Sequence, residues 1–218
     1  MQVTKICGGD VRVALPLFQE ASGGAIPTSP HHYIVKPCKR AEIRDFIELW
    51  HYSKSINGLM SSYCFKLTDD ARIVGAIMFG KLAMANAWRK YAAQEGDILE
   101  LRRLVCIDNT PKNTESYFIG YCLRWLKKHT DVKIIISYAD PNYGHRGTVY
   151  KATNFTASGM TAPGKIIVWN GKKYHDKAIR TKYKGRLKPF AQELKNALEN
   201  GEAHYVAQKP KIIYTKEL

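Results

Sequence analysis

Asp140, Pro141, Asn142 and Tyr143 follow one another in the stretch Ile134–Phe155, IIISYADPNYGHRGTVYKATNF. Their types in this order suit one task. A carboxylate and a proline carbonyl can accept the two hydrogens of an exocyclic amine, while an aromatic ring stacks on the base that carries it. Ser137 leads into the group and His145 closes it. The plainer alternative makes Asp140 an Asx-turn or helix cap, with Pro141 ending a strand.

Two further sets of residues invite chemistry. His51-Tyr52, together with His145 and Asp140, has the donor types to ligate a metal or relay a proton. A lone histidine at a helix end more often serves as a cap or dipole partner. Glu100-Leu101-Arg102-Arg103-Leu104 puts two arginines in an apolar run. Adjacent strand positions face opposite sides, so Glu100 and Arg102 share a face and can form an ion pair, while only one arginine can face a given site.

A third set is electrostatic. Nine Lys/Arg lie between Lys165 and Lys188 against the single acid Asp176, with Trp169, Tyr174 and Tyr183 interleaved. This segment carries more than half of the formal net charge of +15. Lys172, Lys173, Arg180, Lys182, Lys184 and Arg186 are the candidate phosphate contacts, and Tyr183 can stack on a base. A solvated basic surface is the alternative. A balance this basic predicts a polyanionic partner, and without a long Lys/Arg-faced amphipathic helix, nucleic acid is favoured over an anionic membrane.

These residues must be held by elements that the hydrophobic pattern announces. Ile134–Tyr138 is an apolar, β-branched run, the turn 140–145 follows it, and Gly147–Asn154 reads as a short helix. Open α/β sheets bind ligands beyond the carboxyl ends of their strands, which is where the turn falls. Upstream, Tyr33–Lys36 reads as a strand and Arg40–Trp50 as an amphipathic helix with Ile43, Phe46, Ile47 and Trp50 on one face. Tyr63–Leu67 and Ile73–Phe79 flank an Asp-rich turn and predict a hairpin. Residues 82–96 read as a short helix or an excursion over the sheet, 98–107 as a central strand, and Thr114–His129 as a helix. Downstream, Asn170-Gly171 predicts a second hairpin between 165–169 and 172–178. Phe190–Leu198 reads as a helix and Lys211–Tyr214 as a last strand or ordered tail. The order predicts an α/β layer with a mixed central sheet flanked by helices. Residues 1–32, rich in Gly and Pro, read as an irregular N-terminal arm, 33–180 as the catalytic domain, and 181–218 as a basic C-terminal helix and tail.

With 218 residues and 45% apolar content the chain can bury a full core. No run of 18 apolar residues is present, so no membrane span is expected, and the N-terminus lacks the pattern of a secretory signal. Five scattered cysteines without a CxxC pair argue against a disulfide framework or structural zinc and for a reducing cytoplasm.

Asp140-Pro141-Asn142-Tyr143 is locally similar to the DPPY-type motif of amino-directed DNA methyltransferases, but no FxGxG-like loop for S-adenosylmethionine accompanies it. The wider set resembles the Mom family of phage adenine-modification proteins over roughly residues 33–180. That set is His51-Tyr52-Ser53, Glu100-Leu-Arg-Arg-Leu, Pro111-Lys-Asn-Thr-Glu-Ser, Ser137-Tyr-Ala-Asp-Pro, Gly144-His145-x-Gly147-x-x-Tyr150 and Asn154-Phe155. The resemblance implies a GNAT-like acyltransferase fold and conversion of adenine in double-stranded phage DNA to N6-carbamoylmethyladenine. That modification shields the DNA from restriction in the host cytoplasm.

On this resemblance Asp140 is the expected base and Tyr150 the general acid. Arg102 or Arg103 would balance donor charge, and His51 with Tyr52 would position the donor or, as a weaker expectation, hold iron. Lys112, Asn113 and Ser116 are expected to bind the donor. One departure stands out. The GNAT pyrophosphate loop, Q/R-x-x-G-x-G/A, is replaced here by Ile107–Thr114, which lacks glycine, and Pro111 removes a backbone N–H donor. Acetyl-coenzyme A is therefore not the expected donor. Glycyl-tRNA or another carrier is, because the carbamoylmethyl group has the atoms of a rearranged glycyl unit. The rival readings are an N6-adenine methyltransferase, a non-enzymatic DNA-binding protein, and a metal nuclease using Asp97, Glu100, Asp108 or Asp140.

Overall fold

A computed structural model describes residues 28–84 and 86–218. Residues 1–27, with Cys7 and most of the expected N-terminal arm, lie outside the described residues. The chain divides into two compact units, one ending at Ile135 and including Leu218, the other spanning Ile136–Glu217.

The first unit is built on an antiparallel meander of β1 (Ile34–Cys38), β2 (Tyr63–Asp69), β3 (Arg72–Gly80) and β4 (Ile98–Cys106). The expected hairpin is β2–β3, turning through Asp70 at φ +49°. β3 is buried without interruption from Val74 to Gly80, the pattern of a strand covered on both faces. Two helices pack on this sheet, α1 (Arg40–Trp50) and α2 (Thr114–His129). α1 buries Ile43, Phe46 and Ile47, the stripe that the 3.6-residue period marks. Glu42 Oε1 reaches back to accept the Lys39 amide at 2.7 Å, satisfying one of the orphan donors at the helix start. α2 buries Phe118, Ile119, Cys122, Leu123 and Leu126. Its last carbonyls are met by Thr130 Oγ1, which donates to Leu126 O at 2.7 Å, and by His129 Nδ1, 2.8 Å from Trp125 O. The described residues of 82–96 include no α-helix. They make tight 3-10 turns at Ala87–Lys90 and Glu95–Asp97, Asn86 entering the first at φ +64°. Strong helix propensity without a buried stripe does not sustain a helix.

The second unit begins with the last four residues of β5 (Ile134–Ala139). It continues through a 3-10 turn, Pro141–Tyr143, into α3 (Thr148–Ala152), shorter than the pattern suggested, and then β6 (Thr156–Met160). Its sheet runs β5, β12 (Ile212–Glu217), β6, with β12 and β6 antiparallel. Tyr214 on β12 is fully buried at its centre.

Between the paired strands β6 and β12 the chain inserts residues 161–211, which have a small core of their own. β7 (Gly164–Trp169) and β8 (Lys172–His175) form the expected hairpin, with Asn170 at φ +48° and Gly171 at φ +70° as a two-residue primed turn requires. β9 (Lys182–Tyr183) and β10 (Arg186–Leu187) make a second hairpin that the sequence did not announce. α4 (Pro189–Glu199) follows, and β11 (Ala203–Gln208) returns beside β7. Ile167, Leu194, Ala197 and Ala203 bury this core, with Trp169, Tyr174 and Ile179 packed around it. The expected tail beyond residue 200 is thus two strands. Among the described residues no helix is long and apolar enough to cross a membrane.

Candidate functional site

In the second unit β5 delivers Ser137, Ala139 and Asp140, all buried, to the turn at its carboxyl end. Asp140 is only 5% exposed, so its carboxylate needs partners, and it has them on both oxygens. Oδ1 accepts the Asn142 backbone amide at 3.0 Å and the Asn142 side-chain amide at 2.8 Å. Oδ2 lies 2.9 Å from Lys211 Nζ. The cap reading of Asp140 is therefore correct for Oδ1, and Oδ2 is met by Lys211. Burial pushes the Asp140 carboxyl up, but the Lys211 and Asn142 contacts outweigh it and hold the group below the usual carboxylate range. The Asp140 carbonyl accepts the Tyr143 and His145 amides, and the Pro141 carbonyl accepts Gly144 N–H at 3.1 Å. The Pro141 carbonyl oxygen thus keeps a second lone pair.

Around this anchored carboxylate the turn presents its rings. Tyr143 is 50% exposed, with its centroid 6.5 Å from that of the exposed His145. Tyr150 on α3 is partly buried against Phe155 and Tyr214, at centroid distances of 5.6 and 5.3 Å. Asn142 also ties the turn to the chain just before β12: its Nδ2 donates to Lys209 O and its Oδ1 accepts Lys209 N–H at 3.0 Å. Lys209 and Lys211 escaped the sequence reading because they are distant along the chain and sit in a segment read as tail. The excess of charge read from the sequence ended at Lys188 and did not include them.

In the first unit, α1 ends at His51, buried, and the chain turns back on it. His51 Nδ1 accepts Ser53 N–H at 3.1 Å and lies 2.9 Å from Ser53 Oγ. That amide can only donate, so the neutral ring carries its proton on Nε2. The Tyr52 ring rests against His51 at 4.3 Å. Arg103, on β4, donates through Nε and Nη2 to Ser55 O and through Nη1 to Arg102 O. Burial lowers its basicity, while Tyr52 and then Glu100 work against that effect. Arg102 points the other way. Its side chain is 6% exposed, its Nη2 is 3.6 Å from Glu100 Oε2, and its Nε is buried without a hydrogen-bond partner. Burial raises the Glu100 carboxyl even against Arg102. Among the described residues no three His, Cys, Asp or Glu side chains gather as metal ligands, so no step is derived through iron.

The donor candidates Lys112, Asn113 and Ser116 lie at the entry to α2. Thr110 Oγ1 donates to Ile107 O, Thr114 Oγ1 to Pro111 O, and Ser116 Oγ to Asn113 O. Pro111 is buried at the centre, and Asn113 takes φ +70°. The loop thus spends its hydroxyls on its own carbonyls, and Pro111 brings no N–H. These residues fit a coenzyme A pyrophosphate poorly, and no step is routed through that cofactor.

In the inserted segment Lys172, Lys173, Arg180, Lys182, Tyr183, Lys184 and Arg186 are candidate contacts, and all of them are exposed. Arg180 is paired with Asp176 at 3.0 Å. Tyr183, 67% exposed, sits at the tip of the β9–β10 hairpin with Lys184 Nζ 5.6 Å from its ring centroid. On β11, Tyr205 receives Lys165 Nζ over its ring at 4.0 Å, a pair the sequence reading missed.

Comparison with known proteins gives three findings. A family model described as the Mom protein family matches residues 32–212. The methylcarbamoylase mom of Escherichia phage Mu is 28% identical over 138 residues, 61% of this chain and 56% of that protein. The chain thus matches just over half the length of this curated relative. Among solved structures, Arabidopsis thaliana NAA60 in complex with acetyl-CoA superposes with a TM-score of 0.50 at 9% identity, covering 85% of this chain and 98% of that one. The fold is therefore GNAT-like, an α/β fold with a mixed central sheet flanked by helices, as the order of elements predicted.

Proposed function

The chain belongs to the Mom protein family, and on that premise we propose that it is a phage DNA-modifying transferase. In this reading it converts adenine in double-stranded DNA to N6-carbamoylmethyladenine, acts in the host cytoplasm, and protects the modified DNA from restriction. The observation that carries the reading is Asp140: a buried carboxylate at a strand end, ionised, with one oxygen fixed by its own turn and the other 2.9 Å from Lys211 Nζ.

Adenine N6 is conjugated to its ring and weakly nucleophilic, so a base must take its proton as the new bond forms. Asp140 Oδ2 is that base. The target base leaves the stack, at a cost of a few kcal/mol, and the exposed Tyr143 ring receives it. N6 attacks the carbonyl of an activated glycyl ester, for which glycyl-tRNA supplies the atoms. The ester oxygen departs with a proton for which Tyr150 is the candidate donor. The free glycyl amine of the N6-glycyl amide then attacks C6, and the original C6–N6 bond breaks. The old N6 becomes the terminal amide, leaving NH–CH2–CO–NH2 on the ring. The basic segment 161–211 supports the reading by providing cations for DNA phosphates.

Mass spectrometry of nucleosides from plasmid DNA co-expressed with the chain tests the proposal. A carbamoylmethyl adduct on adenine is expected. A methyl adduct, unmodified adenine or strand breaks would each replace it with one of the rival readings. Formation of the adduct by purified protein without charged tRNA would remove glycyl-tRNA alone.

A further inference from the structure

The 161–211 insertion leaves and rejoins the second unit through a narrow neck. Thr161 N–H donates to Lys211 O and Lys211 N–H donates to Thr161 Oγ1, each at 2.9 Å. From that neck the Lys211 side chain reaches Asp140 Oδ2 at 2.9 Å, and two residues earlier the Lys209 backbone clasps the Asn142 side chain from both sides. The turn after β5 is therefore held from two directions, by its own Asx bonds and by the base of the insertion.

We propose that Lys211 is a positioning residue for Asp140, orienting the carboxylate so that Oδ2 keeps one lone pair for the amine proton. The inference rests on the reading of Asp140 as the base. Asn142 fixes Oδ1 with two hydrogen bonds and Lys211 fixes Oδ2, so the two together set the rotation of the carboxylate. Asn142 from the turn, neutral, and Lys211 from the neck, charged, both contact the carboxylate, and His145 engages the Asp140 carbonyl through its amide. Lys211 is half-exposed, and the neck bonds use its backbone alone. Removing its charge should leave the fold in place. The positive charge also favours the ionised carboxylate, so it widens the range of pH over which Asp140 can accept a proton.

The test compares full-length wild type, Lys211→Met, Lys211→Arg and Asp140→Asn on duplex plasmid DNA. Host-cell extract supplies the donor, and adduct formation is followed against pH. In Lys211→Met the acid limb of the rate profile should move to higher pH, with rates approaching wild type on the alkaline side. Lys211→Arg should restore the wild-type limb. An unmoved limb in Lys211→Met, with Asp140→Asn inactive, overturns this inference and leaves the catalytic reading standing. Wild-type activity in Asp140→Asn overturns the catalytic reading itself.

Discussion

Tyr214 leaves no room for a side chain at Gly147. A Cβ there would lie 2.2 Å from Cε2 of the tyrosine and 2.6 Å from its hydroxyl oxygen. The tyrosine is held in place by donating its hydroxyl to Arg146 O at 2.9 Å. Gly147 also stands at φ +73°, a conformation that costs an L side chain. Both constraints fall on the residue that joins the Asp140 turn to α3, so the spacing between Asp140 and Tyr150 depends on them. Gly147→Ala should destabilise the protein by about 3 kcal/mol, combining overpacking against a buried ring with backbone strain. A fall in the urea midpoint, with no change in slope, would register it.

Asp140→Asn should abolish adduct formation while duplex DNA affinity stays near wild type, since Asn preserves the size of the group and removes its charge. Comparing electrophoretic mobility with nucleoside mass spectrometry separates the two. Substantial activity in the variant would remove Asp140 from the chemistry.

The depressed Asp140 carboxyl also sets a sign for pH. A carboxylate whose folded pKa lies below its unfolded value, about 3.9 for an aspartate, adds stability above that value. The contribution disappears as pH falls through the lower folded pKa. Wild type should therefore lose more thermal stability than Asp140→Asn between neutrality and the acid range below the ordinary aspartate pKa. Parallel melting curves against pH would contradict the ion pair with Lys211.

Replacing Lys182, Lys184 and Arg186 by Gln should weaken duplex binding and lower the log–log salt slope by roughly two to three, near 0.9 for each phosphate that is no longer neutralised. The fold should be unaffected, because all three are exposed. An unchanged slope would make the hairpin tip a solvated surface.

Arg102 and Glu100 lend themselves to a double-mutant cycle. Arg102→Met should cost about 3–5 kcal/mol by stranding a buried carboxylate that burial already pushes up. Glu100→Gln in the same chain should recover most of that loss while keeping an acceptor for the Ala83 amide, bound at 3.1 Å. Additive losses would show that the pair is not coupled.

The elements with a strong local period were legible in the sequence: α1, α2, the β2–β3 hairpin, and the hairpin turning on Asn170-Gly171. So was the turn at Asp140, because a β-branched run broken by Asp-Pro leaves few alternatives. β6, β9, β10 and β11 were not, and the reason is physical. β6 is exposed along its whole length, and β9 and β10 are two residues each. Their pairing is set by tertiary neighbours rather than by alternation. The contacts of Lys209 and Lys211 with the turn were hidden for the same reason: an ion pair between distant segments leaves no local trace. The Glu100–Arg102 pair, two apart on one strand, did leave one.

The neck between Thr161 and Lys211 gives the insertion the form of a cassette. Its two ends meet across a pair of hydrogen bonds, it carries its own small core, and it begins and ends beside paired strands. A segment joined this way can be exchanged for another of different charge or length without rethreading the sheet around it. Replacement that spares residues 209–211 would keep Asn142 and Asp140 anchored. The chain can thus vary what it grips independently of the carboxylate it would use, and diversification of the first need not wait on the second.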